Sequence, residues 1–105
     1  MRNAGVVQSI LEQFESSAVA QFEGIRQAIE QNDAESAGKQ AHALKGAAAT
    51  LAAESLRRAA LALEESGRAG AINRLKEEFE TLSEELMRCL QYIPTASQTA
   101  QDLGG

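Results

Sequence analysis

Apolar residues recur along this chain at intervals of three and four. The first series is Val7, Ile10, Leu11, Phe14, Ala18, Phe22, Ile25 and Ile29, the spacing of one face of a helix. It predicts one long helix from about Asn3 to Gln31. Ser16-Ser17 is a place for a kink, because serine hydroxyls compete for backbone hydrogen bonds. Asn32-Asp33 resets the chain, and either side chain can cap the next helix. A second helix is expected from about Ala34 to Leu51, with Ala37, Ala41, Leu44, Ala48 and Leu51 inward. Most of these are alanines, so neighbouring helices can approach closely. A short third helix is expected from about Glu54 to Ser66, with Leu56, Ala59, Ala60 and Leu63 inward. Gly67 and Gly70 are its expected stop, since glycine takes the left-handed conformation cheaply. Ile72, Leu75, Phe79, Leu82, Leu86, Cys89 and Ile93 mark a fourth helix over about Ala71 to Tyr92.

Four amphipathic helices joined by short connections predict an all-α fold, an antiparallel up-down four-helix bundle. The bundle is expected over residues 1–93. After Pro94 the residues are small and polar, so 94–105 is expected to be a disordered tail or linker. With 105 residues the chain has room for one domain and one core. The net charge of −5 repels phosphate backbones and anionic lipid, which argues against nucleic acid and membrane as partners. No apolar run approaches the roughly 20 residues of a membrane span. Met1–Gln8 is too polar for the core of a signal peptide. Cys89 is the only cysteine, so no internal disulfide can form. A cytoplasmic monomer is the expectation. One His and one Cys on different helices do not make a metal ligand set, and no metal site is expected.

The one histidine carries the candidate chemistry. An ideal helix turns about 100° per residue, and on that wheel His42 points away from the stripe of Leu44, Ala48 and Leu51. Glu35, Gly38, Gly46 and Ala49 share its outer face, and Lys39 and Lys45 flank it at i−3 and i+3. Gly38 and Gly46 occupy the positions whose side chains would crowd an imidazole. A mid-helix glycine costs roughly 1 kcal/mol relative to alanine, so two of them read as clearance for an approaching surface. The lysines are placed to meet an anion on the ring. Neutral imidazole is a competent nucleophile near pH 7, and attack on phosphorus would leave a phosphoryl group that lysines can stabilise. The plain alternative is a solvated histidine on a wet helix face.

The run Ala41-His42-Ala43-Leu44-Lys45-Gly46 resembles the A-H-x-L-K-G phosphorylation motif of histidine-containing phosphotransfer (HPt) domains. Ala47-Ala48-Ala49-Thr50-Leu51 is similar to the small-residue run that follows it. Leu56 and Leu63-Glu64 are similar to a leucine and an L-E pair on the family's next helix. The resemblance covers about residues 7–90. One departure is Ala52, where family members often have glycine.

The resemblance implies a phosphorelay intermediate, with His42 phosphorylated on Nε2. Lys45 and Gly46 match the motif's charge and clearance positions. Glu64 matches a position that hydrogen-bonds the other ring nitrogen, and Arg68 a basic position found near the phosphate in some members. Lys39, Gly38, Gly46, Ala49 and Arg68 are then the expected phosphate and docking surface around the site residues His42, Lys45 and Glu64. The implied partner is the aspartate-bearing receiver domain of a response regulator or hybrid sensor kinase. It supplies the catalytic aspartate and Mg²⁺; no cofactor is expected on this chain.

Two other readings compete. Sensor-kinase dimerisation helices place an acid directly after the histidine and a proline several residues on; here Ala43 follows and the first proline is Pro94. No Gly-rich ATP-binding segment is present, so autonomous kinase activity is not expected. The second is a non-catalytic helical-bundle interaction module with an incidental His42.

Overall fold

The computed structural model describes the backbone of residues 2–104 and the side chains of residues 11–91. Among these the chain forms α1 (Arg2–Glu30), α2 (Ala34–Thr50), α3 (Glu54–Arg68) and α4 (Ile72–Gly104). Each helix packs on the next, and α4 also meets α1. The fold is the expected all-α bundle of four helices, and its connections are three residues long. Up-down antiparallel order is what such connections imply for consecutively packed helices.

The core is the predicted stripes brought together. Phe14, Ala18, Ile25 and Ile29 come from α1, and Ala37, Ala41, Leu44 and Ala48 from α2. Leu56, Ala60 and Leu63 of α3 meet Leu75, Leu82 and Leu86 of α4. Phe22 and Phe79 stack across α1 and α4 with centroids 4.7 Å apart, a geometry that adds to simple area burial. Cys89 packs half-buried beside the core, and burial pushes its thiol pKa up. Val7, Ile10 and Ile93 lie outside the residues with described side chains.

All three turns are built alike. After α1, Asn32 N–H bonds Ile29 C=O and Asp33 N–H bonds Ala28 C=O. After α2 the same pair runs from Ala52 to Ala49 and Ala53 to Ala48; after α3, from Gly70 to Gly67 and Ala71 to Ser66. This is the Schellman pattern, which needs a left-handed residue just past the helix. That residue is Asn32 (φ 58°), Ala52 (φ 55°) and Gly70 (φ 70°). Asp33, rather than Asn32, then caps α2 by accepting from Ser36 N–H at 3.1 Å.

Ala52 is the strained member of the three. A left-handed non-glycine residue costs roughly 1–2 kcal/mol, while glycine gives back roughly 0.4–1 kcal/mol through its freer unfolded chain. Ala52→Gly is therefore expected to stabilise the bundle by up to about 1 kcal/mol, as a higher urea midpoint with unchanged slope. An unchanged or lower midpoint would count against strain at this turn.

Two helix ends differ from expectation. α3 does not stop at Ser66 but continues to Arg68, so Gly67 is inside the helix and only Gly70 serves as the stop. Gly67 is buried, and its lack of a side chain is used for packing. α4 keeps helical backbone past Pro94 to Gly104, where Tyr92 was the expected end. Proline removes one donor and crowds the preceding turn, yet the helical backbone carries on through it. The expectation of a disordered tail or linker over 94–105 falls on residues whose side chains lie outside those described.

Candidate functional site

His42 stands on the outer face of α2, between the buried Ala41 and Leu44 that fix the helix against the core. Its side chain is 67% exposed. Glu64 reaches it from α3, with Nδ1 and Oε2 2.7 Å apart. The carboxylate is only 8% exposed, so Glu64 is the buried partner and His42 the accessible one.

Glu64 is held from three directions. Lys45 of α2 brings its ammonium to 2.6 Å from Oε1. Arg68, one turn on in α3 and itself 75% exposed, donates to Oε2 at 3.1 Å. Chiefly through Lys45, and then His42, these contacts hold the Glu64 carboxyl below its usual range against the opposing effect of burial. An ionised Glu64 can only accept, so His42 Nδ1 donates to it. The Nδ1–H tautomer leaves the Nε2 lone pair free, on a side chain that is mostly exposed.

This geometry revises the sequence reading of the lysines. Spacing along α2 put both beside a vacant anion position. Lys45 is instead half-buried against Glu64, because α3 presents a buried carboxylate that no reading of α2 alone contains. Lys39 lies 3.4 Å from Glu35, and both are well exposed. Exposed pairs of this kind contribute roughly 0.3–0.5 kcal/mol, so Lys39 remains available to other anions.

The two glycines of the outer face separate. A Cβ on Gly46 would meet nothing within 4 Å, and Gly46 is exposed with Ala49 one turn further on. Gly38 is buried, and a Cβ there would lie 3.2 Å from Gly67 Cα. What the sequence suggested as clearance beside the ring is at Gly38 a close crossing of α2 and α3. Gly67 was missed as part of the site. Its signal was available, since Leu56, Ala60, Leu63 and Gly67 fall on one helical stripe.

Beside the ring a cavity of about 760 Å³ runs along this crossing toward the α3–α4 turn, floored by Gly38 and Gly67 and edged by Lys39, His42 and Arg68. Among the described residues no helix is long and apolar enough to cross a membrane, and no group of three or more His, Cys, Asp and Glu side chains converges as a metal site would require.

The family model of the Hpt domain matches residues 9–93 of the chain. No curated protein and no solved structure matches it. The matched span contains the whole of α2 and α3 and most of α1 and α4, and with them His42, Lys45, Gly46 and Glu64.

Proposed function

The chain belongs to the Hpt domain family, whose members carry phosphoryl groups in two-component signalling, and from that premise we propose that His42 Nε2 is the atom that accepts and returns the group. The observation that carries this reading is the pairing of an exposed ring with a buried carboxylate at 2.7 Å. An incidental surface histidine has no need of such an anchor.

The donor is the aspartyl phosphate of a receiver domain in a response regulator or hybrid sensor kinase. Nε2 attacks phosphorus as the P–O bond to the aspartyl carboxylate breaks. The carboxylate leaves on the receiver, and the Nε2–P bond forms here. The proton on Nδ1 stays, so the ring gains positive charge as the nitrogen lone pair is used. Glu64 stands against that charge and stabilises it. The reverse step uses the same contacts. Phosphoryl transfer is mostly positioning and charge stabilisation, and Mg²⁺ belongs to the receiver's side. Lys39, Arg68 and, after release from Glu64, Lys45 are the cations within reach of the phosphoryl oxygens.

The test is incubation with a panel of phosphorylated receiver domains. Acid-labile, base-stable phosphate should appear on this chain and pass back to the receiver. A chain that takes no phosphate from any receiver would favour an interaction module instead. Docking needs the open face at Gly46. Gly46→Leu places a side chain one turn from His42 without touching the core, so the fold should persist while transfer slows at least fivefold, about a kilocalorie of barrier. Rates within about twofold of the parent would refute the role of that clearance.

A further inference from the structure

The link between His42 and Glu64 joins two helices, so its length depends on how closely α2 and α3 approach. The two helices come into close contact at Gly38 and Gly67. A Cβ on Gly67 would fall 2.5 Å from Gly38 Cα and 2.7 Å from both Gly38 N and Ala34 O. These are backbone atoms, and they cannot turn aside as a flexible side chain would. Gly38 lies one turn before His42 on α2, and Gly67 one turn after Glu64 on α3. The contact point is thus one helical turn from each partner, on the faces they share. Glu64 C=O itself lies 3.4 Å from where a Cβ on Gly38 would stand.

Two glycines inside helices each cost roughly 1 kcal/mol. Packing alone could use alanine at somewhat wider spacing, as at Ala41 and Ala48. We propose that Gly67, with Gly38 facing it, is a positioning residue for the transfer: the side-chain-free crossing of α2 and α3 sets Glu64 within reach of His42 Nδ1 and so fixes the tautomer that leaves Nε2 nucleophilic. The proposal rests on His42 as the phosphorylated residue.

The size of the effect follows from the distances. A methyl on Gly67 must be relieved by about an ångström of helix separation. Added to a 2.7 Å contact, that exceeds the reach of a hydrogen bond, which weakens beyond about 3.2 Å. Glu64 cannot follow freely, because its own backbone and Arg68 hold it to α3, against the pull of Lys45 on α2. A methyl on Gly38 needs only a few tenths of an ångström, with its nearest atoms at 3.2 and 3.4 Å.

His42 is the only histidine, so imidazole ¹⁵N shifts report it without ambiguity. The parent protein should show Nδ1–H. Gly67→Ala, with its helical signal retained, should show a mixture enriched in Nε2–H, and its transfer rate should fall about fivefold or more. Gly38→Ala should shift both in the same direction by less. In a Glu64→Ala background, Gly67→Ala should add nothing to the tautomer change, since the link it acts through is gone. A folded Gly67→Ala that keeps Nδ1–H overturns the proposal. If Gly67→Ala loses its helical signal, Gly38→Ala is judged by the same two readouts. The tautomer is read without phosphate, so a parent that shows the shift but accepts no phosphoryl group would end the transfer reading and leave the crossing's hold on Glu64 standing.

Discussion

His42→Gln is expected to take up no phosphate from any receiver while keeping the fold. Glutamine has no nucleophilic nitrogen, so the loss should be complete rather than graded. Stability should change by less than about 1 kcal/mol, as for most exposed substitutions. The ring is two-thirds exposed and fills no part of the core. Its removal leaves Glu64 with Lys45 and Arg68, so no buried charge is stranded. The measurement is a pair: label retained after base treatment, and the urea midpoint. Undiminished labelling with an unchanged midpoint would move the phosphate to another residue.

The bundle was legible in the sequence because each helix announces itself. Three-and-four spacing marks a buried stripe whatever it packs against, and the stripes through Ile25, Leu44, Leu63 and Leu82 are the observed core. His42 was legible for the converse reason, since it falls off its own helix's stripe. What spacing on one helix cannot contain is the neighbour. Lys45 read as a free cation because Glu64 is 19 residues further along the chain and comes into view only when α3 packs on α2. Gly38 read as clearance for the same reason, its empty side being filled by Gly67. Gly67 read as a stop because glycine signals helix ends more often than crossings, whereas the turn itself is made by Gly70. Ala52 carries the opposite lesson. Its left-handed φ is what a glycine there would have announced, and alanine conceals it.

Glu64 should give the second large effect, and its two substitutions separate shape from charge. Glu64→Ala removes the acceptor for Nδ1–H and the counter-charge for the ring that forms during transfer. A hydrogen bond to a charged group contributes roughly 1.5–3 kcal/mol, so transfer should slow roughly ten- to hundredfold. Glu64→Gln keeps an amide oxygen for Nδ1–H but no charge, and should fall between. The pH dependence follows from the lowered carboxyl pKa. A depressed acid contributes stability that is present above its ordinary value near 4.5 and lost as pH falls through the lower folded value. The stability gap between parent and Glu64→Gln should therefore be present from pH 7 down to about 5. It should close as pH drops further, because protonated Glu64 has no more charge than glutamine. Urea midpoints of the two proteins across this range are the check, with label transfer at pH 7 as the second. Equal rates for Glu64→Ala and the parent would mean that the buried carboxylate orients nothing, and a gap that closes well above pH 5 would mean that Lys45 and His42 do not hold it ionised.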